Sequence, residues 1–219
     1  MKIPVIVLLI VFAAANPAGS AEIKGKVTVP AERKVPLKSN YSRGVFEPKI
    51  KGSDGSAAVS PKMKVVVWAE PSSGDVKYVE PAEKPLIRQK DKMFDPDLLV
   101  VQMGTVVGFP NLDPLYHNVF SYSKAKRFDL GRYKQGKSKD VVFEEEGVVE
   151  VFCEIHENMH AYIVIVDSPY FSTVGENGEF SITVPAGSYK LKAWSPGSEE
   201  EITTVELQDG EEIVVDFSL

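Results

Sequence analysis

No long stretch beyond residue 22 carries an apolar period of 3.6, so the chain offers little from which to build amphipathic helices. What recurs are short runs rich in Val, Ile, Phe and Tyr, interrupted every few residues by one of 16 glycines or 15 prolines. β-Branched and aromatic side chains suit a pleated, half-buried surface, and Gly and Pro suit the turns between strands. The expectation is an all-β protein. With 219 residues, 43% of them hydrophobic, there is material for one domain or two small ones.

Taken in order, residues 23–29 alternate apolar and polar side chains and read as a strand. Residues 65–69, Val-Val-Val-Trp-Ala, are apolar throughout and read as a buried strand, while residues 71–85 are turn-rich. From 84 to 167 the chain reads as one module of roughly eight short strands, the turn spacing of a Greek-key sandwich. In that module residues 98–101 and 105–109 flank a tight turn at Gly104, residues 148–152 lead into Cys153, and residues 160–166 form a long apolar strand. The tail, 168–219, holds an Asn177-Gly178 turn, an alternating strand, and three more strand-like runs.

Charge is unevenly spread over a chain whose net charge is -6. Residues 31–64 hold eight bases against three acids around a Gly-Ser-Asp-Gly-Ser loop. This basic loop is read as solvated, with contact to an anionic partner as the sharper alternative. A second basic belt, Lys124 to Lys139, is opposed only by Asp129. No Lys or Arg follows Lys192, and acids crowd the end. No nucleic-acid motif, phosphate loop or Ser-His-acid set is present.

Lys2, the apolar run 3–15 and the small residues Ala18-Gly19-Ser20-Ala21 read as a cleaved signal peptide, residues 1–21. The run is short for a span of about 20 residues, and no later stretch could cross a membrane as a helix. The expectation is export to a bacterial periplasm or beyond, with no membrane span in the mature chain.

Export sharpens the meaning of the single cysteine, Cys153, which has no internal disulfide partner. It is intermolecular, reactive, a metal ligand or a buried spectator. Its neighbours favour the metal. Cys153-Glu154-Ile155-His156-Glu157-Asn158-Met159 puts a thiol, an imidazole and a thioether in one short segment. These are three of the four donors of a blue-copper site, whose fourth is a second imidazole. Of the remaining histidines, His117 stands just before a strand-like run, and His160 follows Met159 and is read as a surface residue pointing away from it.

The segments Phe-Pro-Asn-Leu-Asp…His-Asn-Val-Phe (109–120) and Cys-x-x-His-x-x-Met together resemble the cupredoxins, particularly amicyanin and plastocyanin. The resemblance covers residues 84–167. It implies a Greek-key cupredoxin sandwich holding copper (Cu+/Cu2+) on His117, Cys153, His156 and Met159, with Asn118 bonding around the cysteine strand. A second resemblance lies in Gly-Glu-Phe-Ser-Ile…Pro-Ala-Gly-Ser-Tyr-Lys-Leu-Lys-Ala-Trp, which looks like the carboxypeptidase regulatory-like, transthyretin-like sandwich. It implies a small split domain of residues 22–82 and 168–219, with the cupredoxin inserted between the halves. The whole resembles exported cupredoxin-type proteins labelled methylamine utilisation proteins. The implied role is single-electron transfer with a redox partner protein, a dehydrogenase or a cytochrome. A copper-trafficking module and a structural or adhesion sandwich are the alternatives. Catalysis is not expected, because the protein supplies all four donors and leaves no open position. Glu154 and Glu157 bring carboxylates into the ligand loop, which favours copper(II) over copper(I).

Overall fold

The computed structural model describes residues 12–13, 19–29 and 64–219. Most of the expected signal peptide, and all but the last residue of the basic loop 31–64, lie outside the described residues. All elements among the described residues are strands: β1 Phe12–Ala13, β2 Ser20–Thr28, β3 Val66–Pro71, β4 Arg88–Lys90, β5 Met93–Asp95, β6 Leu98–Gln102, β7 Val106–Pro110, β8 His117–Tyr122 and β9 Arg127–Tyr133. They continue with β10 Ser138–Val142, β11 Gly147–Phe152, β12 His160–Val166, β13 Phe171–Thr173, β14 Glu179–Pro185, β15 Gly187–Trp194, β16 Glu201–Leu207, β17 Glu211–Val214 and β18 Phe217–Ser218.

Two β-sandwiches result. In the middle of the chain a five-stranded sheet, β6-β12-β11-β8-β9, faces the pair β10-β7 across an apolar core. Val107, Phe109, Phe143, Val149, Val151, Cys153, Met159, Ala161 and Ile163 fill that core. Strands β6 and β7 are not a hairpin. Gly104, at φ +95°, turns the chain from one sheet to the other, so β6 pairs parallel to β12 while β7 pairs antiparallel to β10. The second sandwich faces β1-β17-β2-β14, with β18 also on β2, against β13-β3-β15-β16. Its core is separate and includes Ile23, Val67, Ala69, Ile182, Leu191 and Ile213. Strand β14 alternates exposed and buried residues along its whole length, as a strand with one wet face must.

A third apolar layer joins the two. Val66, Trp68 and Trp194 on the outer face of β3 and β15 meet Val100, Tyr162, Val164 and Val166 on the outer face of β6 and β12. This explains the continuous apolar runs. Val65, Val67 and Ala69 point into one core and Val66 and Trp68 into another, so both faces of β3 are dry. β12 does the same with Ala161, Ile163 and Ile165 against Tyr162, Val164 and Val166. Burial of large apolar side chains is worth about 1.5–3 kcal/mol each. The ion pairs between the sandwiches, Lys64 to Asp97 at 2.9 Å and Lys192 to Glu146 at 3.8 Å, contribute about 0–1 kcal/mol each. The apolar layer therefore holds the sandwiches together.

Candidate metal centre

The middle sandwich brings two distant segments together at one end. The first begins at Asn111, which is fully buried. Its Nδ2 donates to the carbonyls of Leu115 and Tyr133, and its Oδ1 accepts the N–H of Asp113 at 2.9 Å. An asparagine bonding the main chain two residues on fixes a tight turn. The turn leaves Leu112, Leu115 and Tyr116 exposed and delivers His117, fully buried, to the start of β8. His117 pairs with Tyr133 of β9, and the β8–β9 register then shifts between Asn118 and Phe120. Such a bulge re-aims side chains, and here His117, Asn118 and Val119 are all buried in succession.

The second segment is the β11–β12 connection. Phe152 pairs with His160, so Cys153 and Met159 leave and rejoin the sheet opposite one another. Both lie in the core. The Met159 N–H donates to the His156 carbonyl at 3.0 Å and closes the loop. The Asn118 Oδ1 accepts the N–H of Glu154 at 2.8 Å and ties the loop to β8.

These segments converge on three donor atoms. Cys153 Sγ lies 3.9 Å from His117 Nδ1, and His117 Nδ1 lies 3.0 Å from His156 Nδ1. The ligand atoms of His117, Cys153 and His156 all fall within 4.8 Å of one another, a group able to hold a metal ion. Met159 is fully buried beside them in the chain.

The outer nitrogen of His117 has its own partner. Nε2 lies 2.8 Å from Asp113 Oδ2. A carboxylate accepts, so Nε2 carries the proton and Nδ1 presents its lone pair to Cys153 and His156. The main-chain N–H groups of Asp91 and Lys92 donate to the two oxygens of the same carboxylate, at 2.6 and 2.9 Å. Both residues sit in the left-handed region, at φ +55° and +56°, and form the turn between β4 and β5. Burial alone would raise the Asp113 pKa. The Lys92 N–H, the His117 ring and the Asp91 N–H outweigh it, and the net shift is down. His156 is shifted down from 6.5, first by burial and then by the positive charge of His117, when that ring is protonated, and of Lys92.

The site also holds features whose role was not legible in the sequence: Asp113, the β4–β5 hairpin, and the hydrogen bond that Gln89 Nε2 donates to the Tyr133 hydroxyl oxygen, with both side chains also donating to the Phe109 carbonyl. Burial pushes the Tyr133 hydroxyl pKa up. His160 points away from the core, but it is only partly exposed: it stacks on Phe152 at 4.8 Å and pairs with Glu150 at 3.1 Å. Glu154 is exposed and pairs with Arg132 at 2.7 Å, so its charge is partly compensated. Glu157 is exposed.

No protein-family model matches the chain, and no curated protein does. Solved structures do show similarity. One is a purple cupredoxin from Nitrosopumilus maritimus, at 24% identity over 37% of this chain and 99% of that one, with a TM-score of 0.34. Another is a Cu(I) mutant of amicyanin, at 18% identity over 45% of this chain and 98% of that one, with a TM-score of 0.36. A third is a Cu-containing nitrite reductase from Thermus scotoductus, at 21% identity over 44% of this chain but only 25% of that one, with a TM-score of 0.37.

Proposed function

We propose that this chain is an exported copper protein that carries single electrons, with His117, Cys153 and His156 as the main ligands and Met159 as a weaker fourth. The observation that carries the reading is the convergence of a buried thiol and two imidazole nitrogens. That donor set suits copper, with a soft thiolate and two imidazoles. It also explains why two ring nitrogens face each other at 3.0 Å, a spacing that a shared proton or a cation satisfies. Bound copper would supply a one-electron Cu+/Cu2+ couple.

The protein's own residues define the rest. The buried side chains of His117, Cys153 and Met159 keep water from the inner side of the group. His156, half-buried on its loop, is the ligand nearest the surface, beside the exposed Ile155. A redox partner, a dehydrogenase or a cytochrome, would dock there. Residues 84–167 form the copper module, inserted between residues 22–82 and 168–219 of a transthyretin-like domain. The separate cores of the two sandwiches support this division. The signal-like residues 1–21 support export to the periplasm or outside the cell.

The test is voltammetry of the copper-loaded protein. A carrier gives a reversible one-electron wave at constant metal content. Copper that stays bound without such a wave, or that leaves on reduction, moves the assignment to a trafficking or storage module.

A further inference from the structure

We propose that Asp113 is a positioning residue for this centre. It accepts the Nε2 proton of His117 and so fixes the ring with Nδ1 toward Cys153 and His156, and the β4–β5 turn holds its carboxylate in place. Only the use made of Nδ1 rests on the copper reading; the state of the ring does not.

Four observations carry it. First, Asp113 is buried, and its two oxygens accept three N–H groups: Asp91 on Oδ1, and Lys92 and His117 on Oδ2. Neither a hydrocarbon nor an amide meets all three. An amide has one accepting oxygen and would set its NH2 against a turn N–H. Second, the turn is unfavourable in itself. Left-handed backbone costs roughly 1–2 kcal/mol per non-glycine residue, and Asp91 and Lys92 both adopt it. What the turn gains is a pair of N–H groups aimed at one carboxylate. Third, the Asp113 main chain is itself fixed through Asn111 Oδ1. Fourth, a neutral imidazole has two tautomers, and the partner of one nitrogen decides the state of the other. Without an accepting oxygen at Nε2, His117 could place its proton on Nδ1, where a metal would have to bind.

The experiment records long-range 1H–15N spectra of the metal-free full chain and titrates the same samples with cobalt(II). Wild type shows His117 protonated on Nε2. In Asp113→Ala the Nδ1-protonated form becomes populated and cobalt(II) affinity falls about 10–100-fold. In Asp113→Asn the side-chain oxygen still accepts the ring proton, so the tautomer is restored and affinity returns to within about tenfold of wild type. Should the alanine variant not fold, the wild-type spectrum and the asparagine variant decide. A wild-type ring protonated on Nδ1 overturns the proposal, and so does an alanine variant with wild-type tautomer and affinity. Wild type that binds no cobalt(II) counts against the metal reading alone, and the tautomer comparison still tests Asp113.

Discussion

The two imidazoles of the metal group are held in opposite ways. His117 opens a central strand, is fully buried and has both ring nitrogens engaged, with Asp113 behind it and Cys153 and His156 in front. His156 sits in a loop, half-buried, with its ring tilted against His117 at 4.6 Å. The buried side is built by the fold and fixes where the donors point. The loop side supplies the remaining donors and opens the group to the surface.

Removing each ring in turn tests this contrast. His117→Ala vacates a dry site and leaves the Asp113 carboxylate without its ring partner, so it should cost about 2–4 kcal/mol of fold stability. His156→Ala should cost about 1 kcal/mol or less, as loop substitutions near the surface do. Denaturant unfolding of the metal-free variants gives both numbers, and equal losses would erase the distinction.

A smaller effect lies in the pH dependence. The folded His156 pKa is below 6.5, so on acidification the unfolded chain takes up this proton first. The His156 contribution is whole above about pH 6.5 and declines as pH falls from there toward the folded pKa. The melting temperature of the metal-free protein should therefore drop more steeply across that window than that of His156→Gln. Parallel curves would show that the loop imidazole is as free as in the unfolded chain.

The same contrast explains what could be read from the sequence. Cys153 and His156 stood out because a loop between two adjacent strands gathers them within a few residues, and the same loop returns Met159 to the core. His117 was visible from its strand context. The doubly buried strands were visible because Val65 to Ala69 and Ala161 to Val166 have no polar side to show. Asp113 lies inside the Phe-Pro-Asn-Leu-Asp segment, but its role was not legible, because spacing alone does not say that a carboxylate four residues before a histidine turns back onto its ring. The β4–β5 turn was hidden because Asp91-Lys92 lacks the glycine that usually marks a left-handed turn. Strand β9 was hidden in the basic belt. It is a sheet edge, where charged side chains are expected and mask the strand pattern.

The most direct measurement is the visible and EPR spectrum of the purified chain loaded with copper(II), beside Cys153→Ser. Wild type should show an intense thiolate-to-copper absorption that is absent from the variant. A copper-loaded protein without that band, or a band that survives Cys153→Ser, contradicts the assignment of Cys153 as a copper ligand.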